Sequence, residues 1–197
     1  MKNVNGREKA GLILLLAGIQ FALLLIIAET QYPGYNAGTN VISDLGVWGQ
    51  PSAIIFNPSV FLFGLMAVIA AYLLRNEPGM CRVPLFTAIS GIGAMGVGIF
   101  PETIHWPHVI SAGIAFGVGG IACVHCYRIA KPPLRFVFFG LGALSLISLV
   151  LTGAHIDLGL GEGGIERLVA YPIVIWVIML GVLLLEREDT PAGTCSV

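Results

Sequence analysis

The sequence predicts an all-α polytopic membrane protein, a six-transmembrane-helix bundle, on three observations. The 197-residue chain is 56% hydrophobic and only 11% charged, with a mean hydropathy of +0.90. A soluble domain carries about 25% charged residues, so this chain lacks the polar surface that a water-facing sphere requires. Six stretches come close to the roughly 20 apolar residues that a spanning helix needs. They are apolar on every face, which excludes a barrel of alternating polar positions. Lipid offers no partner to an unpaired backbone amide, so each stretch must be helical.

The spans fall near residues 10–30, 54–75, 83–100, 107–129, 133–153 and 165–185, and short spaces between them make one domain over 1–190. The first follows Lys2, Arg7 and Lys9 like a secretory signal. It is longer than a signal's apolar region and ends in Glu29-Thr30-Gln31 without a small-x-small site, so it reads as a retained helix. The second is expected to open at Asn57-Pro58-Ser59, with Asn57 as N-cap and Pro58 at the first helical position. Residues 51–56 would form a short interfacial segment before it. In the third, SGIGAMGVG, and in the fourth, Gly113, Gly117 and Gly120, small residues recur as in closely packed membrane helices. The fourth opens at Trp106-Pro107-His108, and His108 shares a face with Ser111, Ala112 and Ala115. His125 lies about 25 Å further along at 1.5 Å per residue and belongs to a different site. The sixth is approached through a flexible run, Gly159, Gly161, Gly163 and Gly164, and opens at Glu166-Arg167. Arg167 and Tyr171 stand one turn apart, and Pro172 loosens the helix by freeing the carbonyl of Leu168.

Charge gives orientation through the cytoplasmic excess of Lys and Arg. Lys2, Arg7, Lys9, Arg75, Arg82, Arg128, Lys131, Arg135 and Arg187, nine of the ten basic residues, fall on one side. Both termini, including a short 191–197 tail, are expected in the cytoplasm of a cell-membrane protein. Cys81, Cys123, Cys126 and Cys195 fall on that side too, so no disulfide is expected. Cys123-Val124-His125-Cys126 fans around a helix and lacks a second pair to complete a metal site.

The opposite, outer side collects the polar chemistry. Glu29, Asp44, Glu102, Asp157, Glu162 and Glu166 face a single base, Arg167, which is expected to pair with one of them. His105, His108 and His155 lie there as well. The long first outer connection carries Tyr32, Tyr35, Asn36, Asn40 and Trp48, and reads as an aromatic belt or as a belt that is also a lid.

Four segments carry a resemblance: YPGYNAGTNVISDLG, the FNPS of the second span, GIFPE with its downstream HVISAGIAF, and GGIERLVAYPIVIW. Together they resemble an uncharacterised six-span family of archaeal and bacterial membrane proteins classed as a domain of unknown function. That family is distantly similar to Frag-type and DRAM-type membrane proteins. The resemblance singles out Tyr32, Pro33, Asn40, Ser43, Asp44, Asn57, Glu102, His108, Glu166, Arg167 and Tyr171. It implies a connection with lipids without naming a substrate; His105 and His155 stand outside it.

Four functional readings follow. The first is an outward-facing pocket that binds or processes a lipid or small amphiphile. Its polar floor would be Asp44, Glu102, His108, Glu166 and Arg167, with Tyr32, Asn40, Asn57 and Tyr171 added by the resemblance. The second places zinc on His105, His108, His155 and Asp157, leaving an open position for hydrolysis. The third holds haem between His108 and His155 for electron transfer. The fourth is non-catalytic, a transporter or an accessory subunit with a membrane-protein partner or a second copy. The bilayer is the constant partner in all four, and no nucleic-acid partner is expected.

Overall fold

The computed structural model describes residues 5–186. Lys2, Arg187, Cys195 and the 191–197 tail of the sequence reading lie outside the described residues. Six helices run in order: α1 (Gly6–Gln31), α2 (Ala53–Leu74), α3 (Val83–Ile99), α4 (His105–His125), α5 (Leu134–Gly153) and α6 (Gly161–Glu186). Short 3-10 turns occupy Ser43–Gly46 and Cys126–Arg128, and the described residues contain no strand. Five of the helices are long and apolar enough to cross a membrane. The apolar α3 has 17 residues, about 25 Å at 1.5 Å per residue. This is the all-helical membrane-type bundle that the composition predicts.

Consecutive helices pack side by side, α6 closes the ring against α1, and α4 also meets α6 with α5 behind them. Large apolar side chains such as Leu23, Ile26, Ile92, Ile147 and Val150 point out of the ring, as expected of helices whose solvent is lipid. Inside, Phe21 of α1 packs on Phe63 and Phe56 of α2, with ring centroids 5.3 and 6.3 Å apart.

The small residues do what their spacing predicts. A methyl at Gly93 of α3 would strike the amide nitrogen of Ala115, with the Ser111 carbonyl 2.8 Å away, so α3 and α4 approach backbone to backbone. Gly91 and Gly64 do the same between α3 and α2. Interhelical hydroxyls add to this contact: Ser90 donates to the Ala115 carbonyl at 2.6 Å, and Ser145 to that of Val169 at 2.8 Å.

Three local expectations are corrected. Helix α2 begins at Ala53, so Asn57 and Pro58 lie inside it and residues 51–56 are not a separate segment. The extra turn buries Phe56 against Phe21, and Asn57 donates instead to the Gly46 carbonyl at 3.0 Å. Helix α6 begins at Gly161, so Gly163 and Gly164 form its first turn and Glu166-Arg167 its second. Gly163 is buried against the first connection, so this run is a fitted surface, not a flexible approach. Finally, Cys81 is disulfide-bonded, whereas Cys123 and Cys126 are free.

Candidate functional site

The α1–α2, α3–α4 and α5–α6 connections gather at one end of the ring, and Arg167 ties the first of them to the helices. Its guanidinium donates to the carbonyls of Ala37, Asn40 and Gly163 at 2.8, 3.2 and 2.9 Å. It also bonds the Glu29 carboxylate and the Tyr35 hydroxyl, each at 2.8 Å. The lone base therefore does pair with an acid, Glu29, and its planar fork spans five acceptors that a point charge would not reach together. Its role is to clamp the first connection onto α1 and α6.

Tyr35 is caught between groups. Its hydroxyl accepts from Arg167 and donates to the Val41 carbonyl at 3.2 Å. Burial pushes its phenol up to about 12 in spite of the neighbouring guanidinium. The folded phenol thus keeps its proton where the unfolded one, near 10, has lost it. Stability linked to Tyr35 is complete below pH 10 and falls as pH rises towards 12. Thermal unfolding of wild type and Tyr35→Phe across this window should show the steeper alkaline loss in wild type. Parallel curves would contradict the assignment.

The rest of the connection is folded on itself. Asn40 donates to Asp44 at 2.9 Å and accepts from the Asn36 N–H at 3.1 Å. Tyr32 stacks at a tilt on Tyr35, centroids 5.4 Å apart, and Tyr171 is 40% exposed on α6. These four residues shape or border the connection; they do not line the space beneath it.

That space is a cavity inside the ring, walled by α1, α2, α3, α4 and α6. Phe21, Phe56, Val60, Phe63, Ala94, Val97, Ala112, Ala115, Phe116, Ala170, Ile173 and Val174 make it apolar along its depth. The alanines leave room that larger side chains would fill. About 50 Å³ is free for the centres of water-sized molecules, several times the roughly 10–15 Å³ that one water needs. Ile42 and Ser43 of the first connection roof it, and His108 and Glu166 line it. From Glu166 to Val174 it runs about 12 Å along α6.

The polar groups at the roof have defined partners. Glu166 accepts from the Ile42 N–H, and Ser43 lines the cavity beside it. His108, 7% exposed, has Nδ1 at 2.8 Å from the Phe100 carbonyl. A carbonyl only accepts, so Nδ1 carries a proton and donates it to Phe100. Glu102, in the α3–α4 connection, is within electrostatic reach of Glu166. Its Oε2 is buried with no hydrogen-bond partner among the described residues.

Residues 15–183 match the family described as Protein of unknown function (DUF998). The chain belongs to that family. No curated protein and no solved structure matches it.

In this DUF998 chain the structure separates the sequence-predicted residues into three groups. Glu166 and His108 reach the cavity, with Glu102 close behind. Arg167, Asn40, Asp44, Tyr32, Tyr171 and Asn57 belong to the clamp, the connection and its supports. The zinc set is not assembled: among the described residues no three His, Cys, Asp or Glu side chains come together to hold a metal ion. His108 is buried at the cavity and committed through Nδ1, whereas His105, His155 and Asp157 are exposed. His105 rests against Trp106 at 5.3 Å, and Asp157 accepts from the Gly159 N–H at 3.0 Å. The haem pair fails on the same ground, because His155 sits at φ 57° in the turn after α5 and is not in the cavity wall. Cys123 and Cys126 in the DUF998 chain engage the Phe138 carbonyl and the Trp176 indole N–H, not a metal.

Glu29 and Tyr35, both partners of Arg167, stand outside the pocket residues that the sequence suggests. Glu29 carried a signal: it is the one acid at the end of the first span, opposite a lone base. Tyr35 carried none beyond its place in an aromatic connection. The Ser43 of the resemblance proves to be part of the roof.

Proposed function

We propose that the cavity binds a lipid or small amphiphile, its head beneath Ser43, His108 and Glu166 and its tail among the phenylalanines and alanines of α1 to α4 and α6. The observation that carries this reading is a cavity whose ionisable groups stand at one end, its depth being apolar except for the Ser90 hydroxyl, which is spent on the Ala115 carbonyl. A single molecule with the same division would restore the contacts that the walls otherwise forfeit and meet the polar groups at the roof. The excess of basic residues at the opposite end of the bundle supports a roof on the outer face. The first connection would then be the lid, held by Glu166 from beneath and by Arg167 from the side. His108, whose Nδ1–H is held by the Phe100 carbonyl, would act through Nε2 as general base on a head that carries a cleavable bond. Binding is the reading that the cavity supports; processing adds a reaction at the same head.

Native mass spectrometry tests it on protein extracted from its own membranes. Wild type should carry a lipid-sized adduct that is absent from Ala112→Phe and Ala170→Phe, each of which fills the cavity from a different helix. Thermal unfolding and elution volume confirm that the variants remain folded. The same adduct on all three proteins would overturn the proposal.

A further inference from the structure

The polar end of the cavity also restricts which head fits, an inference that rests on the amphiphile reading. We infer that the ligand is an amphiphile whose head is a positively charged hydrogen-bond donor, an ammonium, and not a phosphate or carboxylate.

Charge and donor count lead there together. Glu166 lines the cavity, and Glu102 stands within electrostatic reach of it. Glu102 Oε2 is buried without a partner among the described residues. His108 is 7% exposed, and its Nδ1–H is spent on the Phe100 carbonyl. The N–H of Ile42 goes to Glu166. Arg167, the basic residue at this end, gives its bonds to Ala37, Asn40, Gly163, Glu29 and Tyr35 and is not in the wall.

An anionic head would meet the Glu166 carboxyl, with Glu102 behind it and no arginine or lysine in the wall, and buried charge left in that state is costly. An ammonium head brings three N–H donors and one positive charge. It finds the remaining lone pairs of Glu166, and its charge offsets the acids. Charge-assisted bonds of this kind are about twice as strong as neutral ones.

Protein in discs of zwitterionic lipid distinguishes the cases. Binding of octylamine, octanol and octyl phosphate is measured at neutral pH, with Ala112→Phe subtracting uptake by the bilayer. The expected order is octylamine over octanol over octyl phosphate, the amine at least roughly tenfold ahead of the phosphate. Glu166→Gln keeps an acceptor for Ile42 and should reduce that ratio by roughly tenfold while octanol binding changes little. Octyl phosphate binding as well as or better than octylamine would overturn the head-group inference and leave the amphiphile reading intact. No cavity-dependent binding of any of the three would remove both. The wild-type order stands as a test even if Glu166→Gln is unstable.

Discussion

Arg167→Ala is expected to lower stability by about 3–5 kcal/mol, the range for breaking one side of a largely buried ion pair. The change deletes five hydrogen bonds at once and leaves the Glu29 carboxylate without its ion-pair partner. The Arg167 side chain is 11% exposed and that of Glu29 26%, so solvent screens the pair only in part. The carbonyls of Ala37 and Asn40 belong to the first connection, so the loss is local as well as global. Limited proteolysis within 36–41 should accelerate in step with the fall in unfolding temperature. Arg167→Lys keeps the charge but not the fork, and should fall between the two. An alanine variant within about 1 kcal/mol of wild type would show that the clamp is ornamental.

Gly163→Ala should be the second large effect, and here two tendencies oppose. Alanine is the better helix former by about 1 kcal/mol. Yet the new methyl would strike the Asn40 carbonyl and lie 2.5 Å from the Ala37 carbonyl oxygen. Backbone oxygens fixed by Arg167 do not move aside as a flexible side chain would. Overpacking of this sort costs about 1–3 kcal/mol, and two backbone clashes put this one at the upper end, so the steric cost should win with a net loss of about 2 kcal/mol. In the Arg167→Ala background the connection is already released, so the further loss from Gly163→Ala should shrink. Such coupling is expected of neighbours that share partners. Chemical or thermal unfolding of the four proteins provides the cycle. Additive losses would mean that the two residues do not act on the same segment.

The sequence makes the bundle legible because lipid imposes so few solutions. Apolar runs of this length fold only as helices, and that argument required no detail of side-chain contact. Boundaries are harder to read. Pro58 and the glycines before Glu166 look like helix edges, since they mark edges in water. In this bundle Phe56 repays an additional turn of α2, and Gly163 provides a surface on which a connection lies flat. The site was legible at the level of its end of the molecule. His108, Ala112 and Ala115 share a face in sequence and line the cavity together. Periodicity also led to a correct separation of His108 from His125. What periodicity does not show is which of several polar groups at one depth turns inward. Glu166 and Arg167 are adjacent in sequence and point about 100° apart on a 3.6-residue helix, one under the lid and one beside it. His105 and His108 are separated by a proline, and only the second is buried. Four metal-capable side chains at similar depth are therefore a list, and only three-dimensional convergence makes a site.

The central claim is that the cavity beneath Ser43 is made to be occupied. An experimental density map of the protein in native-like lipid tests it most directly. The account predicts elongated density with a compact end within hydrogen-bond distance of Glu166 and His108 Nε2, and a tail lying along the wall that Phe21, Phe63 and Val174 form. A cavity closed by those phenylalanines, or containing only ordered water, would contradict it.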